Sequence, residues 1–236
     1  MFNLKNIFKK KEEKSIADLV KPFDQLEKKP QPIEIDLPVQ GNYQLDNKAF
    51  PKIPASSQCG YTSLSVLLSQ FIQEAKSDDF IYEMIKYFEK DFAIGKSRRF
   101  GAFMQNHVFI AQFFLKKYGV DRQVIFKPHS GTVQDVIEVL KKGYAVGVAG
   151  MMTGDGHFMV ISGYSELRKA FKVQDPYKLF DFDKGKYTNQ SGLNVYYPVD
   201  RFTKYLEASS LLASNNTKKG IRFYYIGDKI WVDSMS

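Results

Sequence analysis

Cysteine is the scarcest reactive residue in this chain, and its scarcity excludes a good deal. One cysteine among 236 residues rules out an internal disulfide framework, and one thiol with three histidines cannot build a thiolate-rich structural zinc site. No apolar run approaches the roughly 18 residues that a membrane-spanning helix needs. The start, MFNLKNIFKKKEEK, lacks the apolar stretch of a secretory signal, so the expectation is cytoplasmic synthesis without a signal peptide. Internal repeats and low-complexity blocks are also missing. What is there is 44% hydrophobic and 15% aromatic residues, enough to bury one sizeable core with little room for a second. Lys and Arg number 34 against 26 Asp and Glu, a formal charge of +8. That bias favours contact with a polyanion such as cell-wall polymer, nucleic acid or an anionic membrane surface. No basic-aromatic motif singles out nucleic acid, and no specific nucleic-acid binding is expected.

The pattern along the chain divides it into a basic, partly helical tail or linker over 1–35 and one domain over 36–236. Within residues 1–14, Phe2, Leu4, Ile7 and Phe8 stand beside Lys9, Lys10 and Lys11. This is the make-up of a short basic amphipathic helix that could touch an anionic wall or membrane, and equally of a solvated terminus. Leu19, Val20, Phe23 and Leu26 recur at helical spacing before Pro30 and Pro32 end any helix. Leu64, Leu67, Leu68, Phe71 and Ile72 give one apolar face of a helix starting near Gly60–Ser63, with Thr62 and Ser63 as its caps. Further helices are expected over 78–94, 103–118 and 132–142. Residues 124–126, 144–149, 157–164, 170–173 and 222–226 carry strand signals. Helices first and antiparallel strands later predict an α+β domain.

A lone cysteine is commonly a small buried hydrophobe. Cys59, however, stands at the start of a predicted helix and is followed by Gly60, and a helix N-terminus favours thiolate over thiol. His157 opens a predicted strand directly after Gly154-Asp155-Gly156, where an imidazole can reach a helix N-terminus lying across the strand edge. A hairpin from 157–164 to 170–174 would return Asp175 alongside His157, where a carboxylate could accept the other ring N–H and fix the tautomer. Asp155 is a competing partner by sequence proximity, although aspartates beside glycine commonly serve turns. His107 and His129 have no ligand or carboxylate partner at a useful spacing and read as ordinary polar residues.

Three segments together resemble the papain-like cysteine peptidases related to the bacteriocin-leader-processing (double-glycine) peptidases, in their phage and bacterial branch. They are Cys59-Gly60-Tyr61-Thr62-Ser63-Leu64, Gly156-His157-Phe158-Met159-Val160-Ile161-Ser162-Gly163-Tyr164 and Asp175-Pro176-Tyr177. Gln44-Leu45-Asp46-Asn47 is similar to that branch's Gln-x-Asp-Asn element. Gly185-Lys186-Tyr187, Ser191-Gly192, Val195-Tyr196-Tyr197 and Phe202 resemble its C-terminal part. The resemblance spans residues 40 to 205 and implies a papain-like fold, with the nucleophile helix packed on a C-terminal antiparallel sheet.

It further implies Cys59 as nucleophile, His157 as base, Asp175 as orienting residue and Gln44 as side-chain donor to the oxyanion, with Gln58 as the alternative donor. Tyr61 and Gly156 are the candidate substrate contacts, and no metal or organic cofactor is called for. The implied substrate is peptidoglycan peptide, for an endolysin or virion lysin found in a phage-infected host cytoplasm or in the virion. A protein or leader peptide is the second substrate class. A catalytically silent peptidase fold serving as a virion or scaffold module is the non-enzymatic alternative.

Overall fold

A computed structural model describes residues 31–48, 53–89, 101, 103–214 and 220–229. The basic tail and the helix expected within it lie outside the described residues, as do positions 90–94 of the helix expected over 78–94 and the side chain of His129. In chain order the regular elements are β1 (Glu34–Asp36), α1 (Cys59–Leu68), α2 (Asp78–Phe88), α3 (Met104–Lys117), β2 (Gln123–Gly131), α4 (Val133–Lys141), β3 (Val146–Gly150) and β4 (His157–Ser165). Then come β5 (Ala170–Gln174), β6 (Phe180–Asp181), β7 (Lys186–Tyr187), β8 (Val195–Pro198), α5 (Val199–Ser214) and β9 (Ile221–Gly227).

The expected α+β order holds: helices come first, and the later strands build a seven-stranded antiparallel sheet. Its order is β2-β9-β3-β4-β5-β8, with β1 pairing along the second half of β4, from Gly163 to Ser165. Strands β6 and β7 form a separate two-stranded ribbon. No helix among the described residues is long and apolar enough to cross a membrane.

Local chemistry accounts for the helix ends. Ser77 caps α2 by accepting from the Phe80 N–H, and Asp78 and Asp79 place negative charge in its first turn. Thr132 and Asp135 exchange hydrogen bonds as a capping box ahead of α4.

Period-two alternation then sorts the central strands between the faces of the sheet. Ala145, Val160, Tyr224 and Ile226 share a core with α1, α2 and α3. Val146, Val148, Met159, Ile161, Ile221 and Phe223 share another with α4 and the Phe202 and Leu206 face of α5. The sheet is therefore covered by helices on both faces. The sequence reading did not foresee α5, which completes the second face, nor the short strands β1, β6, β7 and β8.

Helix α1 packs against the sheet over Gly147 of β3 as well as along β4. A Cβ there would lie 2.5 Å from the Tyr224 ring and 2.8 Å from Leu67 Cδ1, so glycine at this position lets α1 settle onto the strand. Substituting Gly147→Ala should overpack that contact and lower stability by about 1–3 kcal/mol. The check is the thermal-unfolding midpoint, and an unchanged midpoint would mean that α1 does not seat against β3.

Candidate active site

Cys59 is the first residue of α1 and is half-buried. The helix begins earlier than the expected Thr62 and Ser63 caps. Thr62 is already inside it and donates its hydroxyl back to the Gln58 carbonyl at 2.9 Å, while Gln58 is the N-cap and makes no side-chain cap bond. The first-turn N–H groups around Cys59 accordingly have no intrahelical acceptor and lend their partial positive charge to the thiol.

Gly60 permits this placement. A Cβ on it would come within 2.5 Å of the Gly101 carbonyl oxygen and 2.8 Å of His107 Nε2. His107, read from sequence as an ordinary polar residue, is fully buried beneath the start of α1. Its Nε2–H donates to the Gly101 carbonyl at 2.7 Å, which leaves Nδ1 to accept from the Tyr224 hydroxyl at 2.8 Å. Burial pushes its pKa down to about 4, against the smaller opposing effect of the Gly101 hydrogen bond, so this imidazole is neutral across the ordinary pH range.

His157 is the first residue of β4, and the antiparallel β4–β5 pairing brings back Asp175 as the residue after β5. His157 Nε2 lies 2.7 Å from Asp175 Oδ1, with the two residues 4% and 0% exposed. Asp155, the competing partner by sequence, lies exposed on the cleft wall instead. The Asp175 carboxylate takes three more donors: the Tyr177 N–H on Oδ1 at 3.0 Å, and the Tyr197 and Tyr187 hydroxyls on Oδ2 at 3.0 and 3.3 Å. Sequence reasoning gave neither tyrosine this task. The one available signal was the strand alternation of Val195-Tyr196-Tyr197, which turns Tyr197 inward and Tyr196 out.

Cys59 and His157 line the same cleft, and each shifts the other's ionisation. Burial by itself would raise the Cys59 thiol. The His157 hydrogen bond and charge, with a hydrogen bond from the Phe158 backbone, outweigh it and hold the thiol below its ordinary value. Burial would likewise discharge His157, but the charge and hydrogen bond of Asp175, followed by those of Cys59, raise its pKa well above the usual imidazole range. Both shifts favour a thiolate–imidazolium pair at neutral pH.

The two glutamines sit differently. Gln58 turns its amide inward and donates to the carbonyls of Lys48 and Ile53 at 2.9 and 3.1 Å, so both of its N–H groups are taken. Gln44 heads a short turn whose backbone N–H donates to the Pro176 carbonyl at 2.7 Å, beside Asp175. Its Nε2 donates once, to the Ser56 carbonyl at 2.9 Å, and keeps a second N–H. Asn42 and Asn47 tie the same stretch to α1 through Ser65 and Thr62, at 2.9 and 2.8 Å.

Cys59, His157 and Gln44 share a cleft of about 840 Å³ with Tyr61 and Gly156. Tyr61 has its ring against Gly101 and its hydroxyl donating to Glu89 at 2.8 Å. No group of His, Cys, Asp and Glu suited to hold a metal ion occurs among the described residues.

Residues 36–203 match the Peptidase_C39 like family. The chain belongs to that family. The match begins within β1, takes in α1, the cleft and every strand from β2 to β8, and ends early in α5. No protein with a curated description matches the chain. Membership makes this a cysteine-peptidase fold, and the peptidase carries its single thiol at the head of α1.

A lowered thiol pKa has a definite sign in alkylation kinetics. Iodoacetamide reacts with thiolate, so the labelling rate of Cys59 should rise at lower pH than that of an ordinary thiol. His157→Ala should slow labelling at pH 6 by about 10- to 100-fold and move the pH profile to that of an ordinary thiol or above it. Matching profiles for wild type and variant would remove the case for an ion pair.

Proposed function

We propose that this peptidase hydrolyses peptide bonds with the Cys59 thiolate as nucleophile, His157 as acid and base, and Asp175 as the residue that orients the imidazole. The placement of Cys59 and His157 on the wall of one open cleft, with His157 held by Asp175 at 2.7 Å, carries this reading. Cys59 attacks the carbonyl carbon while the His157 imidazolium delivers its proton to the leaving amine. His157 then takes a proton from water as the water oxygen attacks the acyl carbon, and cleavage of the C–S bond releases the acid and restores the thiolate–imidazolium pair. The Cys59 backbone N–H and the spare N–H of Gln44 are the proposed donors to the oxyanion, a task for which Gln58 has no free N–H.

Within that chemistry we propose peptidoglycan peptide as the substrate, in the manner of a phage-type lysin. The formal charge of +8 supports this, since it suits approach to an anionic wall polymer. Purified sacculi and a mixed peptide library, each incubated with the protein, separate a wall substrate from a protein or leader peptide. Products from the sacculi alone support the lysin reading, and cleavage of the library alone replaces it with the protein-processing one.

Cys59→Ala should abolish turnover on whichever substrate is cleaved. His157→Ala should reduce kcat/KM by at least about 10³-fold, by analogy with removal of the base in other nucleophile–base pairs. Asp175→Asn retains an acceptor for the ring N–H and should cost less than Asp175→Ala. The reverse ranking, or turnover surviving in Cys59→Ala, would defeat the proposed assignment.

A further inference from the structure

Opposite the sheet side of the cleft, the C-terminal end of α2 contributes Glu89, which is 2% exposed and lines the same cavity as Cys59. One of its oxygens is fully used: Oε1 accepts from the Tyr61 hydroxyl at 2.8 Å and from the Gly101 N–H at 3.0 Å. The other, Oε2, is buried and has no hydrogen-bond partner among the described residues. A buried carboxylate oxygen without a donor costs free energy that a bound cation or N–H group would return. Tyr61 and Gly101 fix the carboxylate in place before any ligand arrives.

Charge in the cleft points the same way. The whole chain is basic, with a formal charge of +8, yet its cleft is lined by Glu89 and by Asp155 and by no lysine or arginine among the described residues. Among the described residues of the wall the cation is His157, which is already paired with Asp175 and coupled to Cys59. The described lining of the cleft is thus acidic in a basic chain, and Asp155 stands in the loop that leads into His157.

We infer that Glu89, with Asp155, makes the cleft selective for peptides that carry a primary amine or guanidinium close to the scissile bond. Glu89 Oε2 is the buried anchor and Asp155 the solvent-facing contribution. This rests on the proposed peptidase activity and adds the substrate's charge to it. An amine of this kind could be a lysine of a protein or the free amine of a wall peptide's diamino residue, and the recognition chemistry is shared.

The test does not require a known substrate. Dipeptidyl chloromethyl ketones with lysine at either position are compared with twins whose side-chain amine is acetylated. Each Cys59 labelling rate is divided by the same protein's rate with iodoacetamide. The lysyl reagent should label at least about tenfold faster than its twin at one position or the other, a preference that Glu89→Gln should largely remove and Asp155→Asn should reduce. Should Glu89→Gln fail to fold, Asp155→Asn on the exposed loop still decides whether cleft charge drives the preference. Sacculi with free and with acetylated amines form a second arm, where amine-dependent release identifies a wall peptide as the source. Equal rates for all twins, with Cys59 still rapid towards iodoacetamide, overturn the inference and leave the peptidase reading standing. A wild-type Cys59 as slow as an ordinary thiol overturns that reading and this inference with it.

Discussion

A carboxylate shut away from solvent is costly unless donors take up its lone pairs, and Asp175 offsets that cost with a ring N–H, a backbone N–H and two tyrosine hydroxyls. Those donors come from β4, from the turn after β5, from β7 and from β8. Satisfying one buried charge therefore fixes four pieces of chain around it. The imidazole, held at 2.7 Å by this carboxylate, in turn sets the charge of the thiol facing it. Tyr197 extends the network further, since its hydroxyl also accepts from the Phe180 N–H at 2.9 Å and joins the β6–β7 ribbon to the same centre.

Two independent supports meet over this centre. From the sheet come His157 and Asp175, placed by the β4–β5 pairing. From the helical layer comes Cys59, set by the seating of α1 on Gly147 and by the room that Gly60 leaves for Gly101 and His107. The stretch from Asn42 to Asn47 is bonded to both, to Pro176 on one side and to Thr62 and Ser65 on the other. Gln44 is held between them by its own backbone and one amide hydrogen, which is how a side chain can present its remaining N–H in a fixed direction.

Much of this was legible in the sequence because it depends on periodicity and short range. The apolar spacing after Cys59, the alternation from His157 to Tyr164, and the hairpin that returns Asp175 are all local patterns. They gave the class of fold and brought the three residues into one neighbourhood. The failures have physical causes too. Helix α1 starts earlier than its hydroxyl residues suggest because Thr62 bonds back along the helix, a choice its side chain makes only after the helix exists. Helix α5 escaped notice because the sequence reading took the Phe202 region only as part of a family pattern. Its apolar residues Phe202 and Leu206 acquire meaning from the sheet face they cover. The unequal standing of Gln44 and Gln58 is set by long-range hydrogen bonds to Ser56, Lys48 and Ile53, which no spacing rule reveals. The partnership of Tyr61 with Glu89 spans α1 and the end of α2 and is equally invisible from sequence.

Because the thiol belongs to the helical layer and its imidazole neighbour to the sheet, the lowered pKa of the sulfur exists only as a property of the assembled protein. In the nascent or partly folded chain Cys59 is an ordinary, mostly protonated thiol with nothing to ionise it. Docking of α1 onto β3 and β4 is the event that arms it. The lowered pKa of the thiol is thereby withheld from the chain while it is being made, by the geometry of a seam that closes only when the core does.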